Sequence, residues 1–231
     1  MIIGNKYRNC LENALNKHNI RLICSDNNPF VDARLSGHAD LSVVHIGNNT
    51  ILASEYLRNS EIINILSDIG FDISFLPNPI KPEYPHDAAM NVCIIGKRVI
   101  YNQKTAYNEF TANRIVINCN QGYTKCSTLV VDENAIITSD RLIAANSAVH
   151  GIESLLIDDS FVKLQGFNKG FIGGAAFKIS RNKIAFTGEI KSAEAKSAIE
   201  SFLNKRGIEA VYLTDNEIFD IGSAIPIIEE I

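Results

Sequence analysis

"LSVVHIGNNTILASEYLRNSEIINILSDIGFDISFL", residues 41–76, holds the pattern on which the fold turns. It opens with an apolar segment, "LSVVHI", crosses the polar turn "GNN" and returns as a second apolar segment, "TILAS". Two apolar strands about a short Gly/Asn turn read as a hairpin, because those residues tolerate the backbone that a tight turn needs. The period then changes. Leu57, Ile62, Ile63 and Ile65 recur at helical spacing, with Ser54 as the expected N-cap and Gly70 as the stop. "DISFL" follows as a third strand, so the order is strand, strand, helix, strand.

The same order recurs along the chain. "RVIYN" (98–102), "AIITS" (135–139) and "KIAFT" (183–187) read as second strands after the turns "GK", "DEN" and "SRN". Their first strands are "NVCII", "STLVV" and "AAFKI". Helical patterns run from Ser139 to Gly151, from Ser192 to Gly207 and from Asn5 to Asn19, and "SLLI", "AVYL" and "RLICS" follow them. The second residues of the five second strands, at positions 2, 51, 99, 136 and 184, are separated by 49, 48, 37 and 48 residues. The step from Ile184 across the termini to Ile2 is again 49. "GSAIPIIEEI" (222–231) reads as a first strand awaiting a second, and "MIIGN" (1–5) as a second strand awaiting a first. We therefore expect the strand at 223–230 to pair antiparallel with the strand at 1–4. One α/β domain over 1–231 then holds five ββαβ repeats around a pseudo-fivefold axis. The short step falls at "KTAYNEFTANRIVIN" (104–118), where the helix must shrink to a loop.

Composition narrows the function classes. A net charge of -4 leaves no footprint for nucleic acid or an anionic membrane surface. No apolar run has the length of a membrane span, and the start has no signal-peptide pattern. Five cysteines without a C-x-x-C pair point to reduced thiols in the cytoplasm, with no disulfide frame and no metal site. No cofactor motif is present; "FIGGAAF" lacks the spacing of a phosphate loop. Close packing at the axis explains Gly173 and Gly174 better. The expected partner is a small-molecule substrate, and a homo-oligomer remains open.

Counting 13 residues back from each repeat marker gives His38, His86, Tyr123, Phe171 and Asp220; counting 11 back gives Asp40, Ala88, Lys125, Gly173 and Gly222. Titratable groups at equivalent positions suit a functional axis better than a packed apolar one. Cys126 lies in "GYTKCSTLVV", 88 residues after His38 in "GHADLSVVHI".

Five ββαβ units with this His-x-Asp and later Cys resemble the pentein fold of the guanidino-group modifying enzymes, among them arginine deiminase, dimethylarginine dimethylaminohydrolase and the amidinotransferases. The resemblance implies a pentein-like α/β propeller with a site at its axis. It further implies a cysteine-dependent hydrolase or deiminase acting on a guanidino, amidino or related C–N substrate. On that reading Cys126 is the nucleophile and His38 the acid/base. Asp40 holds the guanidinium, and Asp220 orients His38 or the substrate. Lys125 assists the thiolate, and Arg34 either holds a substrate carboxylate or is an exposed strand residue. His86, with Asp87 beside it, competes for the base or binds substrate. The thiolate is the competent nucleophile, so Cys126 is expected to titrate below an ordinary thiol.

Two features depart from the pattern. "KLQGFNKG" places Gln165 and Asn168 where the enzymes carry carboxylates, and Cys126 sits 10 residues before its marker, out of phase with the ring. They sustain a second reading, a non-catalytic binding protein of the same fold, like the ribosome anti-association initiation factors. Cys10, Cys24 and Cys93 are expected in the core.

Overall fold

The computed structural model describes residues 1–228. β1 (Ile2–Gly4) and β2 (Ile23–Ser25) lie parallel, joined through α1 (Arg8–Asn16). The other edge of β1 meets the far end of the chain. Ile2 and Ile225 form an antiparallel bridge, exchanging both backbone hydrogen bonds at 2.9 Å. The expected closure is therefore present, but as a single bridge; residues 229 and 230 of the expected strand lie outside the described residues. Pro226 has no N–H with which to extend the ladder.

The remaining units share one topology. β3 (Val43–Gly47), β4 (Thr50–Ser54) and β5 (Asp72–Leu76) form the first three-stranded sheet, with α2 (Glu61–Asp68) between its last two strands. β6 (Cys93–Ile95), β7 (Arg98–Tyr101) and β8 (Ile115–Asn118) form the second. β9 (Thr128–Asp132), β10 (Ala135–Thr138) and β11 (Glu153–Leu156) form the third, with α3 (Arg141–Val149). A one-turn helix, α4 (Ile172–Ala175), leads into β12 (Ala176–Ser180), which pairs with β13 (Lys183–Phe186); α5 (Ala193–Asn204) then leads to β14 (Glu209–Tyr212). In each sheet the first two strands are antiparallel and the last two parallel. Between β7 and β8 the helix is reduced to a 3-10 turn, Asn108–Thr111, as the short repeat step requires.

Alternation along the middle strands ties the units into a ring. Ile51 and Ala53 pack with Ile2 and Ile225, whereas Leu52 packs with Met90, Val99 and Phe110 of the next unit. Ile100 joins Ile136 on one side, and Val99 and Tyr101 face the other. Ile137 packs with Ile184 and Phe186, while Ala185 meets Ile3, Leu11 and Leu15. Each middle strand thus fills two seams, which is why its sequence is a continuous apolar run rather than an alternating one.

Helix ends follow the expected punctuation at their C-termini. Gly70, Gly151, Gly207 and Asn19 all take positive φ. At the N-termini only Ser192 caps as expected, accepting from the Ala195 N–H at 3.3 Å. α3 is capped by Asp140 instead of Ser139, with bonds to the N–H groups of Leu142 and Ile143. 3-10 turns at Asn5–Tyr7 and Glu55–Leu57 postpone α1 and α2 beyond the expected caps Asn5 and Ser54.

Because Ile2 is fully buried in the closing seam, Ile2→Ala should cost about 2–5 kcal/mol, as should Ile136→Ala in an internal seam. Urea unfolding of both variants checks this; a loss below about 1 kcal/mol at Ile2 alone would show that the closing seam contributes little.

Candidate active site

Four of the five first strands are entered through a helical turn, and ring residues lie in or just before these turns; Asp220 and Gly222 lie in the irregular segment before Ile225. Ala39–Leu41 and His86–Ala88 are 3-10 turns, and α4 is a third. Residues 124–127 form a fourth, closed by the bonds from Ser127 N–H to Tyr123 O and from Thr128 N–H to Lys125 O. Cys126 is therefore on a turn and not on a strand. Its offset of 10 is no phase error, since strand alternation does not apply in a turn.

Asn91, ahead of β6, fixes that turn. Its Oδ1 accepts the backbone N–H groups of Lys125 at 2.8 Å and Cys126 at 3.1 Å, and its Nδ2 donates to Cys126 Sγ at 3.2 Å. The Cys126 thiol donates to Asp40 Oδ2 at 2.9 Å. Asp220 Oδ1 stands 4.0 Å from His38 Nδ1. That carboxylate is held by the N–H groups of Gly222 at 2.8 Å and Phe171 at 2.9 Å. One donor atom each from His38, Asp40 and Cys126 lie within 4.8 Å of one another. His38 Nε2 and Asp40 Oδ1 are buried without a hydrogen-bond partner. Lys125 Nζ donates to Ser223 Oγ at 2.7 Å and to Gly173 O at 3.3 Å, across the axis.

Two glycines make this closeness feasible. A Cβ on Gly174 would stand 2.0 Å from Asp220 Oδ1. Gly222, at φ +68, would bring a Cβ to 2.3 Å from that of His38.

Burial dominates the titration of the cluster. His38, Asp40, Cys126 and Asp220 are all less than 5% exposed. Desolvation, with Lys6 nearby, pushes His38 down to about 3. Desolvation raises Asp40 to about 6 and Asp220 to about 7. The Cys126 thiol is pushed well above the ordinary range, by burial first and then by the charges of Asp40 and Asp220. The expected depression of Cys126 is thus reversed: a buried thiol facing two carboxylates keeps its proton. A nitrogen, a carboxylate oxygen and a sulfur so placed are donors of the kind that also hold zinc.

Other expected residues lie further out. His86 is exposed, while Asp87 is buried and accepts from the Tyr123 hydroxyl at 2.5 Å, leaving its Oδ1 unpartnered. Arg34 sits in a turn, not a strand. Its guanidinium pairs with Asp32 at 2.6 Å, donates to Gly166 O at 2.7 Å and stacks on Phe167. Arg34, Gln165 and Asn168 line a cavity of about 340 Å³ to which Asp220 and Tyr7 also contribute. Cys24 is half-buried and Cys93 and Cys119 are buried, but Cys10 is exposed on the outer face of α1, contrary to the expected core position. Asn91 carried no signal in the sequence; an Asn before an apolar strand reads as loop.

A closed ring of five such units with its polar groups gathered at the axis defines the pentein fold, and solved structures agree. The chain is similar to the inosamine-phosphate amidinotransferase of Streptomyces griseus, with a TM-score of 0.56, 12% identity, and coverage of 91% of this chain and 74% of that one. Its likeness to the dimethylarginine dimethylaminohydrolase of Pseudomonas aeruginosa, crystallised with citrulline, has a TM-score of 0.53 at 8% identity, over 95% and 84% of the two chains. An amidinotransferase of saxitoxin biosynthesis from Microseira wollei gives 0.54 at 8% identity, over 94% and 84%. At such identities the likeness is one of fold. No curated protein matches the chain. The model of a "Family of unknown function (DUF6873)" matches residues 2–225, and the chain belongs to that family.

The raised acids make stability fall with pH. Asp40 and Asp220 bind their protons more tightly folded than unfolded. Their contribution is thus complete below the ordinary carboxylate range and is lost as pH rises through about 6 and 7. Asp220→Asn should remove part of that decline. The variant's stability relative to wild type should rise, on the order of a few kcal/mol, between about pH 4 and pH 8. Urea unfolding across that range measures it, and a constant difference would contradict the assignment.

Proposed function

We propose that the protein is a cysteine-dependent enzyme that cleaves a carbon–nitrogen bond of a guanidino, amidino or related small molecule, in the cytoplasm. The single observation that carries this reading is the cluster of Cys126, Asp40 and His38, with Sγ bonded to Asp40 Oδ2 at 2.9 Å and His38 Nε2 left without a partner. The fold shared with amidinotransferases and a dimethylaminohydrolase supports the same class. In this proposal Cys126 is the nucleophile, His38 the acid/base, Asp220 the residue that orients His38, and Asp40 the anchor for the substrate's N–H groups.

Chemistry follows from the electrostatics. Burial first, and then the charges of Asp40 and Asp220, keep the thiol protonated. A cationic amidinium bound to Asp40 replaces the thiol as that carboxylate's hydrogen-bond partner and reverses the local field, favouring the thiolate. The thiol proton passes to His38 Nε2, and Sγ bonds to the amidinium carbon. His38 returns the proton to the departing nitrogen as the C–N bond breaks. Water, deprotonated by His38, then adds to the S-bound carbon; the S–C bond breaks and the thiol is restored. Lys125, bonded to Ser223 and Gly173, braces the turn from the opposite side of the axis. Asp87, with one free oxygen, is a second acceptor for substrate. Arg34 reaches only the outer cavity, and His86 is too exposed for the acid/base role.

Burial of Cys126 and its raised titration favour the second reading, a non-catalytic binding protein, and labelling separates the two. Cys10 serves as an exposed internal reference. Cationic 2-chloroacetamidine should alkylate Cys126 in preference to neutral iodoacetamide by more than about tenfold relative to the same ratio at Cys10. His38→Ala should slow the Cys126 reaction, and Cys126→Ser should abolish that adduct while leaving the one at Cys10. An equal reagent ratio at Cys10 and Cys126, read by peptide mass spectrometry, would overturn the enzymatic reading.

A further inference from the structure

Two side chains hydrogen-bond to the Cys126 sulfur. Asp40 accepts the thiol proton at 2.9 Å, and Asn91 Nδ2 donates to Sγ at 3.2 Å. The two bonds answer differently to ionisation. Once the proton has left, the charge of Asp40 opposes that of the sulfur. The Asn91 bond instead becomes charge-assisted, and so strengthens as the thiolate forms. Asn91 accordingly pulls the Cys126 titration downward, against burial and the charges of Asp40 and Asp220. The same amide helps hold Asp40 down against its own burial.

The turn fixes which end of the amide faces the sulfur. Oδ1 takes the backbone N–H groups of Lys125 and Cys126 at 2.8 and 3.1 Å. Turned over, the amide would set its NH2 against two N–H donors and leave both unpaired in a buried site. Nδ2 therefore has to point at Sγ. The backbone of Asn91 is held as firmly: its N–H donates to Ala88 O at 2.9 Å, and its carbonyl accepts the Thr124 hydroxyl at 2.9 Å. That hydroxyl oxygen in turn accepts the Cys93 N–H at 3.1 Å. Asn91 and Thr124 are both fully buried. The carboxamide is thus anchored in the unit of β6 and presented to the Cys126 turn of the next unit. A donor so fixed needs no reorganisation as charge develops on the sulfur.

From these observations we infer that Asn91 is a further catalytic residue of the proposed reaction: Nδ2 holds the attacking sulfur as a thiolate, while Oδ1 holds the turn that carries it. The inference rests on the reading of Cys126 as nucleophile. The substrate cation displaces the thiol from Asp40 and the proton passes to His38 Nε2, but the Asn91 bond to sulfur is kept throughout. It is strongest between that proton transfer and the formation of the S–C bond, which removes the charge from sulfur and weakens it again. Asn91 thus favours the thiolate over the states on either side of it. A side chain that only braced the turn would act in the opposite sense. Its loss would loosen the turn, admit water and relieve the burial that keeps the thiol protonated, so Cys126 would become more reactive.

The sign of the change in Cys126 reactivity therefore tests the role. Alkylation of the full chain by neutral iodoacetamide is followed by peptide mass spectrometry, with Cys10 as the exposed reference. The reaction is run at about pH 9, where even a raised carboxyl is ionised. In Asn91→Ala the Cys126 rate should fall at least about tenfold relative to that of Cys10. Asn91→Asp keeps an oxygen for the two N–H groups but turns an ionised carboxylate on Sγ, so its rate should fall further still. In concentrated urea both variants should match the wild type. A Cys126 rate unchanged or raised in Asn91→Ala, with circular dichroism showing a folded chain, would overturn the role. If that variant does not fold, the Asn91→Asp rate decides in the same way, and failure of both to fold would make Asn91 a structural residue and overturn the role as well. The two readings fail separately. Slowed iodoacetamide labelling without a preference for 2-chloroacetamidine would keep Asn91 as the partner of the thiolate and remove the enzyme. That preference, with labelling not slowed in Asn91→Ala, would keep the enzyme and remove Asn91 from its reaction.

Discussion

A strand that must be apolar on both faces is the constraint from which the rest of this structure follows. Each middle strand lies between two neighbours and fills a seam with each, so Ile2 and Ile3, Ile51 and Leu52, and Ile136 and Ile137 serve opposite sides. A linear row of such units would leave one apolar face bare at each end, exposing hydrophobic side chains to water. Closure through Ile2 and Ile225 removes both bare faces at once. The ring is a hydrophobic solution first, and its axis is a by-product.

That by-product is where polar groups become affordable only by mutual satisfaction. The segments entering the first strands converge on the axis, and three of them deliver four buried residues there: His38 and Asp40 from one, Cys126 from another and Asp220 from the third. Asn91 satisfies three partners on the Cys126 turn, and Asp220 is held by two backbone N–H groups. His38 Nε2 and Asp40 Oδ1 have no hydrogen-bond partner within the protein, so in the proposed reaction they are the atoms left to take a proton and a substrate N–H. Buried orphan groups cost free energy, and a site that binds polar ligands is the ordinary reason to tolerate them.

Much of this was legible in the sequence because hydrophobic periodicity and turn chemistry are local. The hairpins, the glycine stops and the shortened second unit all follow from residues within a few positions of one another. Helix starts were less legible: 3-10 turns beginning at Asn5 and Glu55 consume a few residues that read as helix. Strand alternation puts Cys126 out of phase, but residues 124–127 form a turn, to which alternation does not extend. A free cysteine suits the core by residue type, but α1 turns Cys10 outward. Asn91 was invisible, since its partners lie 34 and 35 residues away and nothing local marks it. The raised titration of Cys126 has no local sign for a related reason: its burial and the two carboxylates near it are properties of the assembled axis.

The turns that meet at the axis also bear on how the chain reaches this state. The thiol–carboxylate bond links residues 86 apart, the lysine–serine bond residues 98 apart, and the closing bridge joins the two ends. Each unit's hairpin and helix can form from nearby residues, but no single unit, nor any neighbouring pair, contains the whole cluster. Non-local pairings of this kind carry a large loop-closure entropy and slow the search for the native topology. The cluster is thus assembled only when the ring shuts, so a molecule with an intact site is one whose folding has finished.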